Sequence, residues 1–151
     1  MDAYAAGVGF SLNPLNNCYD EAVINANYGL GESVVAGAAE PDFFVVDKVQ
    51  GKIIETRIGA KTTVIRLNNQ GGTIQSTRKN QAETAITATQ ALELTHLLKK
   101  VETYYQKPVD IEWALADGKF FLLQVRPITT YLPLPPEMVT APGQPKRLYA
   151  N

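Results

Sequence analysis

The chain has very few of the residues that build disulfide frameworks or metal clusters. Among its 151 residues there is one cysteine, Cys18, and one histidine, His96. A lone cysteine cannot form an internal disulfide, which favours a reducing cytoplasm as the compartment. His96 falls in the middle of a predicted helix without cysteine or histidine partners, so we interpret it as a structural residue rather than a metal ligand.

The sequence also lacks an excess of positive charge and a long apolar run. Fourteen basic residues stand against fifteen acidic residues, and the formal net charge is −1. This balance argues against a nucleic-acid partner, because nucleic-acid-binding proteins meet the phosphate backbone with a basic surface. No run approaches the roughly 20 apolar residues of a membrane-spanning helix, and no signal peptide is visible. The 45% hydrophobic and 19% charged residues that remain are typical of one globular domain.

Residue periodicity predicts an α+β fold with a largely antiparallel sheet, one long helix over 88–106 and a C-terminal β-hairpin over 107–127. The helix is expected to bury one apolar stripe, formed by Leu94, Leu97, Leu98, Val101, Tyr104 and Tyr105. Further strands are predicted at 8–11, 21–27, 42–47, 52–58 and 62–67, the last two as a pair. Prolines dominate the chain after Pro127, so we expect a domain over 1–127 and, over 128–151, a Pro-rich linker that leads into a further element.

The hairpin turns at Asp117-Gly118, and its register decides which side chains share a face. A two-residue loop pairs Ala116 with Lys119 and sends Glu112 and Gln124 to opposite faces. A three-residue loop pairs Leu115 with Lys119 instead and separates polar from apolar side chains almost completely. We therefore predict the three-residue loop. The expected core face carries Val109, Ile111, Trp113, Leu115, Phe121, Leu123 and Val125, and the opposite face carries Asp110, Glu112, Ala114, Leu122, Gln124 and Arg126.

Three residues on the polar face have the chemistry of a metal-nucleotide site. Glu112 offers carboxylate oxygens and Gln124 an amide oxygen, and Mg²⁺ binds such ligands together with water and substrate phosphates. Arg126 supplies a planar guanidinium that matches phosphate oxygens. The alternative interpretation is a solvated sheet face with an exposed ion pair.

A second candidate is the segment Tyr28-Gly29-Leu30-Gly31-Glu32, which follows a predicted strand and leads into a short predicted helix. Glycines let backbone N–H groups approach an anion, so the segment could be a phosphate loop. It matches neither complete phosphate-loop motif, and a plain tight turn remains the alternative. Glu32 suits either a position near a metal ion or the first turn of the helix.

Short segments of the chain form one ordered series over nearly residues 5 to 130. The segments are Gly7-Val8-Gly9-Phe10-Ser11-Leu12-Asn13-Pro14, Tyr28-Gly29-Leu30-Gly31-Glu32-Ser33-Val34-Val35-Ala36-Gly37, Pro41-Asp42, Ile58-Gly59-Ala60-Lys61, Asp110-Ile111-Glu112-Trp113-Ala114 and Leu123-Gln124-Val125-Arg126-Pro127-Ile128-Thr129-Thr130. This series resembles the second half of the nucleotide-binding domain of phosphoenolpyruvate synthase and pyruvate phosphate dikinase. The chain from Tyr131 onward looks more like rifampicin phosphotransferase, a relative built on the same domain.

This resemblance implies the C-terminal lobe of an ATP-grasp fold, in which two α+β lobes hold ATP between them. By resemblance, Glu112 and Gln124 match the metal-binding acid and amide, and Arg126 matches a phosphate-contacting, catalytic arginine. Glu21 and Glu32 match acidic residues that line the nucleotide site. Lys61 matches a recurrent lysine, for which a solvated surface position is an equal alternative.

The resemblance also implies phosphoryl transfer from Mg-ATP toward a histidine on a domain that these 151 residues do not contain. The N-terminal lobe, with its phosphate-gripping residues, would have to act in cis or in trans. The final acceptor could be pyruvate or, in the rifampicin phosphotransferase branch, an antibiotic hydroxyl. An inert stand-alone nucleotide-binding or interaction module is the remaining alternative. We expect the chain alone to fold, to bind Mg-ATP weakly at most, and not to turn over.

Overall fold

A computed structural model describes residues 2–37, 40–77 and 82–129 of the protein. The predicted linker beyond Thr129 and the element after it lie outside the described residues. The elements, in chain order, are β1 (Ala5–Phe10), β2 (Glu21–Tyr28), α1 (Glu32–Val35), β3 (Asp42–Asp47), β4 (Lys52–Arg57), β5 (Thr63–Leu67), β6 (Thr73–Thr77), α2 (Ala88–Tyr105), β7 (Val109–Ala116) and β8 (Lys119–Pro127).

The main sheet has six strands in the order β4-β3-β2-β1-β7-β8, and every neighbouring pair is antiparallel. The predicted antiparallel α+β architecture with one main helix is therefore confirmed. The predicted pairing of β4 with β5 is wrong. Strand β4 pairs with β3, while β5 turns through the polar loop at 68–72 and pairs with β6 in a separate two-stranded sheet. Strand β6 was not expected, because its five residues show no apolar alternation and are all exposed.

One face of the main sheet packs against α2 and forms the core. The buried side chains on this face include Ile24 of β2 together with Ile111 and Trp113 of β7. Leu94 and Leu98 of α2 are fully buried against them. Burying a side chain of this size stabilises the fold by roughly 1.5–3 kcal/mol. The opposite face of the sheet, which we call the open face, does not pack against α2, although some of its residues, such as Val23, Asn27 and Val45, are also buried.

Helix α2 begins with a capping box and ends one residue before the predicted limit. The Thr87 hydroxyl accepts a hydrogen bond from the backbone N–H of Gln90, and the Gln90 side chain accepts one from the backbone N–H of Thr87. Tyr104 and Tyr105 do not belong to the buried stripe, since they are 83% and 42% exposed. The stripe therefore ends at Val101. Within the described residues, no helix is both long and apolar enough to cross a membrane.

A buried carboxylate joins three separate segments of the chain. Asp42, at the start of β3, accepts hydrogen bonds from the backbone N–H groups of Gly59 and Ala85. The Lys61 ammonium donates to Asp42 Oδ1 at 2.6 Å and to the Gly59 carbonyl at 2.9 Å. Both charged side chains are fully buried. The solvated position considered for Lys61 is therefore wrong, and its charge instead neutralises Asp42 inside the fold.

We predict that Lys61→Met destabilises the protein by about 3–5 kcal/mol, because it leaves the Asp42 carboxylate buried without its counter-charge. The measurement is the free energy of unfolding in urea. Arg57→Met is the matched control, since Arg57 pairs with Glu55 on the surface, where side chains are 61% and 51% exposed, and such pairs contribute at most about 1 kcal/mol. Equal losses in the two variants would contradict a stabilising role for the buried pair.

Candidate functional site

The turn between β7 and β8 contains two residues, not three. Ala116 pairs directly with Lys119, leaving Asp117 and Gly118 as the loop. Both have positive φ angles, +50° and +72°, as a type I′ turn requires. The predicted three-residue loop is therefore wrong. Asp-Gly satisfies the two-residue turn because aspartate tolerates the left-handed region and glycine adopts it without a steric cost.

After this turn, a β-bulge in β8 returns Gln124 and Arg126 to the same face of the sheet as Glu112. The register shifts by one residue between Glu112 and Trp113, and Leu123 is the extra residue. Beyond the bulge, Glu112 lies directly opposite Gln124, and Asp110 lies opposite Arg126. Directly opposed residues point to the same face of a sheet. Glu112, Gln124 and Arg126 thus share the open face, as expected, but through a register that the sequence analysis had not considered.

The bulge also changes which apolar residues of β8 reach the core. Phe120 stacks edge-on against Trp113 with ring centroids 5.6 Å apart, and Val125 packs on the core as predicted. Phe121 and Leu123 were expected on the core face, but they are 41% and 55% exposed. The predicted core side of β7 is confirmed, since its four residues Val109, Ile111, Trp113 and Leu115 are buried.

Electrostatic contacts on the open face hold Arg126 loosely beside two carboxylates. Its Nε donates to Asp110 Oδ1 at 3.1 Å, and its Nη2 lies 4.0 Å from Glu112 Oε1. The Arg126 side chain remains 53% exposed, whereas those of Asp110 and Glu112 are 19% and 24% exposed. Exposed pairs of this kind contribute about 0–1 kcal/mol. The guanidinium can therefore turn toward an anionic ligand at little cost.

The site residues belong to a row that crosses the whole open face. Successive pairings place Gln124 opposite Glu112, Glu112 opposite Val8, and Val8 opposite Asn25. The row continues through Phe43 of β3 to Arg57 of β4, whose guanidinium lies over the Phe43 ring, 4.1 Å from its centroid. Sequence reasoning missed this part of the row, because it treated the hairpin alone and did not place β1 at the centre of the sheet.

Glu21 and Glu32 lie toward opposite ends of the open face. Glu21 opens β2, and its carboxylate accepts hydrogen bonds from the side-chain amides of Asn13 and Asn16. Glu32 is the exposed first residue of α1, which packs near Ala6. No contact among the described residues joins either carboxylate to Glu112, so their assignment to the nucleotide site stays a prediction.

The glycine segment before α1 is packed against β5. Gly29 has a φ angle of +76°, and a Cβ atom there would lie 2.3 Å from the carbonyl oxygen of Ile65. The next residue, Leu30, donates its backbone N–H to the same oxygen at 2.7 Å. These contacts explain Gly29 as part of a tight turn that brings β5 close to β2. They favour the tight turn over the phosphate loop.

The donor set of the site fits a hard divalent cation that takes some of its ligands from the protein and others from a substrate. Glu112 and Gln124 present a carboxylate and an amide on adjacent strands, at the Cβ separation of roughly 5 Å that opposed residues have. In the described part of the chain, no group of three or more His, Cys, Asp and Glu side chains is arranged to hold a metal ion. Two protein oxygens suit Mg²⁺, which keeps waters and usually takes further ligands from phosphates.

Comparison with protein families gives one match that spans most of the chain. The model of the family described as pyruvate phosphate dikinase, AMP/ATP-binding domain, matches residues 1–139. The matched range includes both strands of the hairpin and the whole row on the open face.

Curated relatives carry related names. The chain is similar to a probable phosphoenolpyruvate synthase of Methanocaldococcus jannaschii (38% identical), an uncharacterized phosphotransferase, YvkC, of Bacillus subtilis (40%), and a rifampicin phosphotransferase of a Streptomyces species (35%). The alignments cover 86–87% of this chain but 11%, 16% and 15% of the relatives. The chain therefore spans less than a fifth of the length of these proteins.

We predict that Asp117→Val destabilises the protein by about 1–2 kcal/mol, because a β-branched residue is strained at positive φ. Asp117→Asn should leave stability unchanged or raise it, since asparagine favours the first position of a type I′ turn. Urea unfolding of the two variants measures both effects, with the strand substitution Lys119→Val as control. A harmless Asp117→Val would indicate the three-residue loop, in which this residue has a negative φ.

Proposed function

The chain belongs to the pyruvate phosphate dikinase AMP/ATP-binding family, and from this premise we propose that it forms the C-terminal lobe of an ATP-grasp domain that binds Mg-ATP. Residues 1–127 constitute the lobe in this proposal, and 128–151 lead into a further domain. The observation that carries the proposal is the convergence of Glu112, Gln124 and Arg126 on one open sheet face.

Each of the three residues has a separate task. Glu112 and Gln124 would hold Mg²⁺ through their side-chain oxygens. Arg126 leaves its weak contact with Asp110 and donates hydrogen bonds to the phosphoryl group that is transferred. The bound cation, when present, neutralises negative charge on the phosphates. Catalysis of phosphoryl transfer consists mainly of such positioning and charge stabilisation.

The open face provides one wall of the nucleotide cleft, and the second wall comes from an N-terminal lobe supplied in cis or in trans. The much greater length of the relatives supports the participation of further domains. In the full reaction the phosphoryl group passes from ATP toward a histidine on another domain. Glu21 and Glu32 line the nucleotide side of the cleft in this proposal.

The ATP side of the reaction is the part supported by the family description, which names an AMP/ATP-binding domain. The names phosphoenolpyruvate synthase and rifampicin phosphotransferase occur at similar identities, 38% and 35%. Two phosphoryl acceptors therefore remain as alternatives in the proposal, pyruvate and an antibiotic hydroxyl. The cytoplasmic location expected from the single cysteine stays a prediction.

We predict that the chain binds Mg-ATP weakly, with a Kd of about 1 mM, because a single wall supplies few of the contacts. Glu112→Ala and Arg126→Ala should each weaken binding about tenfold or more, since hydrogen bonds to charged groups contribute roughly 1.5–3 kcal/mol. Calorimetry, supported by ¹H–¹⁵N NMR titration for weak binding, measures the affinity with and without Mg²⁺.

The matched controls are Glu93→Ala on α2 and Arg66→Ala on β5, which remove the same charges from exposed positions outside the main sheet. Both should bind Mg-ATP like the unsubstituted chain. Equal affinity in all five proteins would refute the site, and binding that ignores Mg²⁺ would refute the metal-ligand role of Glu112 and Gln124.

A further inference from the structure

The strongest feature outside the predicted trio is Asn25, in the middle of β2. It lies on the open face in the same row as Glu112, with Val8 of the central strand between them. Its side chain is half-buried, and its amide takes part in none of the side-chain hydrogen bonds of the described residues. Asparagine is disfavoured inside strands, so the fold gains nothing evident from an amide at this position.

A second asparagine on the same strand shows what a structural amide looks like. Asn27, two residues further along, is fully buried, and its Nδ2 donates to Ser33 Oγ and to the Thr63 carbonyl at 2.9 Å each. Asn27 thereby ties β2 to α1 and to the segment that begins β5. The amide of Asn25 has no comparable task inside the fold, although both side chains point to the same face.

The position of Asn25 relative to Glu112 matches the width of a ligand. Opposed side chains on neighbouring strands have Cβ atoms about 5 Å apart, so two spacings separate Asn25 from Glu112 by roughly 10 Å. The two side chains extend from either side above Val8, which is apolar and forms the floor between them. The gap is wide enough for a phosphoryl group and the cation that it shares with Glu112.

We propose that Asn25 is a further ligand-binding residue, whose Nδ2 donates a hydrogen bond to a phosphate oxygen of the nucleotide held by Glu112 and Gln124. This inference rests on the proposed function and adds a contact on β2 to the site on β7 and β8. Arg57 is farther from Glu112, because it belongs to β4, two strands beyond Asn25, and its guanidinium lies over the Phe43 ring. The polyphosphate would then lie across the strands, from Arg126 toward β2.

The test uses three substitutions in the full chain, titrated with Mg-ATP and followed by ¹H–¹⁵N NMR. Asn25→Ala should weaken binding about tenfold, because this is the effect expected from the loss of one hydrogen bond to a charged group. Asn25→Asp keeps the size of the side chain but replaces the donor with a negative charge, so it should weaken binding further. Asn69→Ala, in the exposed loop between β5 and β6, is the control and should bind like the unsubstituted chain.

The outcomes separate this inference from the proposed function. If the chain binds Mg-ATP and Glu112→Ala abolishes binding while both Asn25 variants bind normally, the role of Asn25 is refuted and the proposed function stands. Tighter binding by Asn25→Asp would also refute it, because the residue would then be a cation ligand. No binding by the unsubstituted chain at 20-fold the expected Kd (~1 mM) would refute both. The dispersion of the NMR spectra shows whether each variant is folded.

Discussion

A single extra residue in β8 sets the geometry of the site. The two-residue turn at Asp117-Gly118 fixes the start of the hairpin, and a regular ladder from there would place Leu123 opposite Glu112. The bulge at Leu123 moves Gln124 into that position and carries Arg126 along with it. Since side chains alternate strictly along a strand, one residue is the smallest change that exchanges the two faces. The site thus depends on a local irregularity of the edge strand.

The two faces of the main sheet differ in what they bury. The face toward α2 holds the largest buried side chains, while the open face combines buried residues such as Val23 and Val45 with amides, carboxylates and partly exposed rings. The Asp42–Lys61 pair lies outside the site and joins the connection after β4 and the segment before α2 to the start of β3. The charge that is buried most completely is therefore structural, and the charges at the candidate site remain partly exposed. This arrangement would suit the proposed site, whose side chains would reorient around a ligand.

Sequence reasoning succeeded where the local pattern alone determines the structure. Strand β3 was predicted with its observed limits because Pro41 and two aspartates bracket an apolar run, and α2 because its apolar residues recur at helical spacing. It failed where a second segment decides. Strand β4 was predicted to pair with β5, its neighbour in sequence, but it pairs with β3. The burial of Lys61 depends on an aspartate 19 residues away. The bulge was not predicted because residue periodicity does not reveal one inserted residue. The shared face of Glu112 and Gln124 was predicted correctly only because the incorrect three-residue loop gives these side chains the same facing as the two-residue loop followed by the bulge.

The charges on the open face explain why this wall alone should grip a polyphosphate poorly. On β7 and β8, the carboxylates of Asp110 and Glu112 lie beside Arg126, while Lys119 is at the turn end of the same face, and the chain as a whole has a net charge of −1. A polyphosphate brought to this surface would meet more repulsion than attraction unless further positive charge arrives with it. In the proposed site, a divalent cation bound by Glu112 and Gln124 would supply part of that charge and would turn the carboxylate from a repulsive group into a ligand. The rest would come from a facing surface with basic side chains. An acidic wall that binds the cation and a basic wall that binds the anion would make each nearly inactive by itself, and would confine tight nucleotide binding to the closed cleft.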